Sequence, residues 1–333
     1  MKSSGELETN AQFNRLNDTY FKSVLASTER KHITIAFLNA LMSHACSGDF
    51  PEIEDVEFLD REFVSKWEGA KVPRFDVFSR AVFKNRAIEG KLFHIEVQDD
   101  RDKFFLKRSF YYACNDYAGQ SIRGLSYEKF EPVVFLGLLN FGLEAEAEGE
   151  QEWYNLHKVL NVATHECSIG LMELNFAELP LLRQKWRKLK HRPLTKFEEL
   201  MFYFGRVGGK RMGDTLVQEI AERNPVVAEL LDYEQEFRRD PLLWRQYLMD
   251  ERAHFDYLAN LEYERGEGID IGREEGIEEG IEIGREEGIN IGRAEGIGIR
   301  NIEIAQKARA EGFMTDEQIA ELVGLPVNVV KEL

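Results

Sequence analysis

Hydrophobic positions change period several times along the chain, and each change marks a different kind of element. Between residues 17 and 45, Ile33, Phe37 and Leu41 recur at four-residue spacing, as on one helix face, and the stretch reads as two short helices. In Leu92-Phe-His-Ile-Glu-Val-Gln98 the period is two. A strand there sets Phe93, Ile95 and Val97 on a core face and Leu92, His94, Glu96 and Gln98 on the other. Phe75-Asp-Val-Phe-Ser-Arg-Ala-Val82 is a second strand-like run, and residues 84–90 have turn composition, so the pair predicts an antiparallel hairpin. Asp102 is placed to cap a helix through Phe105, Arg108, Tyr112 and Tyr117. The run from Val133 to Phe141 is apolar almost throughout, as in a strand buried on both faces. Helix, hairpin, helix and buried strand together predict an α/β layer over residues 1–145.

From Trp153 onward the pattern is mostly helical, with one edge strand expected at residues 170–176. Residues 146–262 form a helical lobe in this reading. Its last helix opens at Asp240-Pro-Leu-Leu-Trp244, with proline in the first turn, where it is tolerated.

Residues 263–300 are a repeat. Gly268, Gly272, Gly276, Gly280, Gly284, Gly288, Gly292 and Gly296 recur without a miss. Each interior glycine disfavours a helix by about 1 kcal/mol relative to alanine. A helix there gains most where the glycine stripe lets another backbone approach closely. A four-residue period also exceeds 3.6 and favours right-handed winding. The repeat reads either as a self-association element, which predicts a homo-oligomer through Gly268–Gly296, or as a flexible acidic tether.

Residues 301–333 predict a helical pair with Thr315 as N-cap, Gly324 as stop and Pro326 as second start. The cadence of Asp316–Leu325 suggests a helix-turn-helix. Six acids against three bases favour a packing module over a DNA-reading head.

Composition changes the picture in three places. With 43% hydrophobic residues the chain can fill a core, which excludes wholesale disorder. Cys46, Cys114 and Cys167 form no pair motif, so disulfide scaffolds and thiolate zinc sites are not expected. The polar first ten residues and the shortness of the longest apolar run predict a cytoplasmic chain with no membrane segment. The net charge of −17 has the wrong sign for a surface that grips phosphate throughout. It is segregated, however. Residues 262–296 carry twelve Glu/Asp against four Arg, and Glu144–Glu152 is a second acidic run. Arg183, Lys185, Arg187, Lys188, Lys190 and Arg192 form a basic segment without acids, interleaved with Trp186 and Leu189. It either tracks a DNA backbone or presents the wet face of an amphipathic helix.

Chemistry concentrates in the hairpin. Glu96 and Gln98 share a strand face, and Asp76 on the neighbouring strand can sit beside them. Two carboxylates with a backbone carbonyl such as that of Val97 make an oxygen-rich site suited to Mg²⁺ or Mn²⁺. Such an ion acidifies a bound water and neutralises charge on a phosphodiester.

These residues stand in a longer pattern. It runs Asn17-Asp-Thr-Tyr-Phe-Lys22, Phe37-Leu-Asn-Ala40, Lys71 with Phe75-Asp-Val77, then Ile95-Glu-Val-Gln98 and Arg108-Ser-Phe-Tyr-Tyr112. Gln120 to Gly124, Tyr127, Pro132-Val-Val134 and Glu173-Leu-Asn-Phe-Ala-Glu-Leu-Pro180 complete it. Together they resemble the recombination-promoting nuclease family, also labelled transposases, of the PD-(D/E)XK nuclease superfamily, in which Gly-Ile-Glu tails are also common.

That resemblance implies an αβββαβ core and metal-dependent DNA endonuclease activity with Mg²⁺, Mn²⁺ or Ca²⁺. Asp76 and Glu96 would be the metal ligands. Gln98 takes the place of the superfamily's usual lysine, and glutamine can only hydrogen-bond where lysine brings charge. Arg108, Lys107 or Lys22 can supply a cation instead. Asp18 either adds an acidic group at the metal or caps its helix. His94 shares the Glu96 face and is read as a satisfied polar neighbour rather than a general base.

Overall fold

The computed structural model describes residues 13–46, 50–59, 76–85, 87–122, 126–143, 151–188, 192–205 and 212–333, in two compact units, Met1–Ala253 and His254–Leu333. In the first unit the hairpin forms as its alternation predicts. Strand β2 (Val77–Phe83) runs antiparallel to β3 (Lys91–Gln98), with Val77 opposite Ile95. Four further strands extend it: β1 (Ile53–Phe58), β4 (Val133–Leu139), β5 (Tyr154–Lys158) and β6 (Met172–Glu178). The sheet order is β1-β2-β3-β4-β6-β5. β4 lies parallel to β3 and to β6, while β1 and β5 close the edges antiparallel.

Three of these placements differ from the sequence reading. β1 is an additional strand. Its register shifts between Ile53 and Asp55, so the buried positions Ile53 and Val56 fall three apart, and such a bulge hides the period of two. β6, expected as an edge strand, lies inside the sheet, and the short, polar β5 takes the edge. The layer expected to end near residue 145 therefore takes two more strands from the segment that reads as mostly helical.

Helices cover both faces of the sheet. On one, Phe93, Ile95, Val134, Leu136 and Leu138 join a core with residues of α1 (Asp18–Leu25) and α2 (Lys31–Ala45). That core extends into α4 (Leu179–Lys188), α5 (Lys196–Phe204), α6 (Met212–Ala221) and α7 (Pro225–Arg239). Thr195 and Glu198 form a capping box at the start of α5, and Asn224 caps α7, each meeting amide donors that a helix start leaves orphaned.

On the other face, Phe78, Leu92, Phe135 and Phe176 pack with Phe105 and Ala113 of α3 (Phe105–Ile122). Gly137 of β4 permits this contact, because a Cβ there would lie 3.0 Å from the Phe105 ring. The face carrying Leu92, His94 and Glu96 is thus closed, with His94 wholly buried and Glu96 9% exposed.

Helix α8 (Pro241–Glu311) opens where Asp240 Oδ1 accepts from the amides of Leu242 and Leu243 at 2.8 and 3.0 Å. The glycine repeat lies on it, and a Cβ added at any glycine from 268 to 296 would meet open space. In the second unit the end of α8 packs with α9 (Asp316–Val323) and α10 (Val327–Glu332) around Ala305, Ile319, Ala320, Val323 and Val330. Thr315 caps α9, with Gln318 completing the box, and Gly324 ends it at φ +68°, a conformation glycine adopts without a Cβ penalty.

Candidate active site

The register of β2 on β3 brings Asp76, one residue ahead of β2, level with Glu96. Asp76 is tethered there by Val97, whose backbone N–H donates to Asp76 Oδ2 at 2.7 Å. Helix α1 delivers the neighbouring charges. Asn17, not Asp18, is its N-cap, accepting from the Tyr20 amide at 3.3 Å. Asp18 therefore keeps its carboxylate for other partners. Lys22, one turn on, places Nζ 2.5 Å from Asp18 Oδ1 and 3.4 Å from Asp76 Oδ1. Burial, the charge of Glu96 and a hydrogen bond with Asp18 push the Asp76 carboxyl up to about 8, against the pull of Lys22. Crowded carboxylates behave this way because each disfavours ionisation of the next.

Glu96 is held from beneath. Its Oε2 lies 3.4 Å from His94 Nε2, and His94 Nδ1 lies 2.7 Å from Asp116 Oδ2. Burial alone would lower the His94 pKa, but hydrogen bonds and charge from Asp116 and Glu96 prevail and raise it to about 9. With both ring nitrogens facing carboxylates and the ring wholly buried, His94 has no nitrogen open to a substrate. His94 is the satisfied polar neighbour that the sequence reading favours.

Gln98 Oε1 accepts from Arg108 Nη2 at 2.5 Å, and its Nε2 donates to the Asp100 carbonyl at 3.2 Å. Arg108 also pairs through Nη1 with Asp102 at 2.6 Å, and its Nη2 lies 3.9 Å from Glu96 Oε1. Its Nε is buried without a partner among the described residues. Of the three candidate cations, Arg108 stands at Gln98 and Lys22 at Asp76, while Lys107 is exposed. Asp102 also accepts from the Phe104 amide at 2.8 Å, so it serves the start of α3 as expected.

Asp116 has no counterpart in the sequence reading. A signal for it exists: Arg108, Tyr112, Asp116 and Gln120 recur every fourth residue, a polar stripe on one helix face. Tyr112 stacks on His94 at 5.7 Å and 13°. Gln120 pins the approach to β4 by exchanging hydrogen bonds of 2.9 and 2.7 Å with the Glu131 backbone.

The basic segment is brought to different partners. Arg183 donates to Asn140 Oδ1 at 3.1 Å, and burial followed by the nearby charge of Arg187 lowers its pKa. Lys185 pairs with Glu152 at 2.7 Å, and Arg192 chelates Glu198 in a fork. Trp186 packs edge-on against Phe202 at 5.8 Å. Arg187 is exposed. The Lys188 side chain, Leu189 and Lys190 lie outside the described residues, as do Lys71, Phe75, Gly124 and residues 144–150 of the acidic run.

No three His, Cys, Asp or Glu side chains among the described residues are arranged to hold an ion by themselves. The three cysteines are unpaired. No described helix is long and apolar enough to cross a membrane.

A six-stranded mixed sheet between helices, with carboxylates meeting where β2 begins and β3 ends, is consistent with a PD-(D/E)XK nuclease fold. The family model for PD-(D/E)XK nuclease family transposases matches residues 15–264, and the chain belongs to that family. No curated protein and no solved structure matches it.

Proposed function

We propose that the protein is a metal-dependent DNA endonuclease that hydrolyses phosphodiester bonds at the Asp76–Glu96 cluster, in the recombination or mobile-element setting that its family's description suggests. The carrying observation is the placement of Asp76 level with Glu96 across the β2–β3 pair, with one Asp76 oxygen fixed by the Val97 amide and its carboxyl raised by burial and by Glu96. A divalent cation relieves like-charge crowding of this kind. The donor set suits Mg²⁺, which is typically held by one or two carboxylates and completes its shell with water and phosphate oxygens. Asp76 and Glu96 are the proposed ligands, with Asp18 as a further acidic group. When bound, the ion supplies Lewis acidity toward a water and the scissile phosphate.

The chain's own residues do the remainder. The Val97 amide fixes one Asp76 oxygen, the His94–Asp116 pair orients Glu96, and Arg108 brings positive charge to the position where the superfamily's lysine is absent. A preorganised cation of this kind stabilises charge developing on the phosphate. The test is plasmid nicking with Mg²⁺, Mn²⁺ or Ca²⁺, beside Asp76→Ala. Equal nicking by both proteins, or none under any metal, refutes the proposal.

A second reading is a catalytically weak, nuclease-derived DNA-binding or assembly protein. It is favoured by the internal engagement of the site's cations, Arg108 with Asp102 and Lys22 with Asp18. In that reading, and compatibly with the first, chains associate through the Gly268–Gly296 stripe.

A further inference from the structure

The face of α3 that carries Arg108 also carries side chains with no role in the core. Phe104, Lys107, Arg108 and Tyr111 stand at i, i+3, i+4 and i+7, the spacing of one helix face. The helical bonding already includes Phe104, whose carbonyl accepts from the Arg108 amide at 2.9 Å. Phe105, which faces the sheet, is 1% exposed, whereas Phe104 is 56%, Phe110 52% and Tyr111 43% exposed. Core packing accounts for the first ring and leaves the other three largely open, with Tyr111 lying against Tyr112 at 6.1 Å. Positive charge is interleaved with them. Lys103 Nζ lies 4.9 Å over the Phe104 ring, and Arg101 and Lys107, three residues to either side in sequence, are exposed.

Exposed flat rings alternating with lysines are the chemistry that holds unpaired nucleic-acid strands, with rings stacking on bases and cations tracking the phosphates. Bases inside a duplex are already stacked and cannot use such rings. We propose that this face of α3 binds a single-stranded DNA segment and leads it to the carboxylate cluster. Phe104 and Tyr111 stack successive bases, Lys107 takes a phosphate, and Arg108 receives the next one at Gln98. The preferred substrate is then single-stranded, frayed or flapped DNA. This rests on the endonuclease reading for its meaning, but not for its test.

The test is fluorescence anisotropy of labelled oligo(dT) and of a duplex of equal length, in EDTA, so that binding is read without turnover. Wild type is expected to bind the single strand more tightly than the duplex. A Phe104→Ala/Tyr111→Ala variant is expected to lose about tenfold or more for the single strand, as removal of stacking rings does, with duplex binding unchanged. Lys107→Ala is expected to shallow the salt dependence by about one unit of slope. A wild-type preference for duplex, or equal losses on both DNA forms, would overturn the proposal. So would a fall in molecular mass for the aromatic variant in light scattering, which would make the patch a self-association face. Nicking by Asp76→Ala bears separately on the endonuclease reading.

Discussion

Arg108 donates to the Gln98 side-chain oxygen at 2.5 Å while holding Asp102 at 2.6 Å through its other terminal nitrogen. In the proposed endonuclease Gln98 takes the lysine's place, and a guanidinium rests on its neutral side chain. A cation is present, supplied by a helix instead of the strand.

Replacing Gln98 by lysine then sets two cations against each other. Gln98→Lys is expected to lower stability by about 1 kcal/mol and not to raise nicking, whereas Arg108→Ala reduces nicking about 10²-fold. The double variant Gln98→Lys/Arg108→Ala should recover part of that loss. A gain from Gln98→Lys alone, in timed plasmid assays, would show that Arg108 does not fill the lysine's role.

Stability should depend on pH in a defined direction. Asp76 is raised to about 8 and His94 to about 9, so the folded state holds protons that the unfolded chain releases. Their contributions are complete below the ordinary values of each group. Asp76's is lost as pH rises through about 8, and His94's through about 9. The melting temperature of the metal-free protein should therefore fall between about pH 6 and about pH 9. Asp76→Asn should flatten that slope. Mg²⁺ should raise the melting temperature at pH 8 in the wild type but not in Asp76→Asn, by linkage to the folded state. An unchanged slope in the variant would remove Asp76 as its source.

Asp116 is predicted to be structural support for Glu96. Asp116→Ala removes one wall of a fully buried ion pair, a change that typically costs about 3–5 kcal/mol. Urea unfolding measures it. A loss under about 1 kcal/mol would mean that His94 is neutral or otherwise compensated.

The repeat can be tested on its own terms. Gly280 and Gly284 face open space, so Gly280→Ala and Gly284→Ala should each add about 1 kcal/mol of helix stability, seen as higher helical circular dichroism on heating. If chains associate through the stripe, truncation after Leu261 reduces the mass measured by light scattering. An unchanged mass would remove that role.

Local pattern by itself determined much of this protein. The β2–β3 hairpin, the Thr315 cap, the helix start at Asp240-Pro241, and the pairing of Asp76 with Glu96 as candidate ligands follow from period, capping chemistry and strand geometry, which act over a few residues. Membership of the nuclease family was likewise legible in the ordered motifs from Asn17 to Pro180. Tertiary structure alone decided the rest. Periodicity states which side chains share a face but not what covers that face. The Leu92–Gln98 face carries His94, Glu96 and Gln98, and only the docking of α3 made His94 a buried link between Glu96 and Asp116. The same limit applies to charge. Arg183, Lys185 and Arg192 form a basic run in sequence, yet partners from distant segments and from the next helix engage each of them. Which of the three candidate cations stands at Gln98 is likewise decided by where helices pack, because a Coulombic partner is chosen by distance in space and not along the chain.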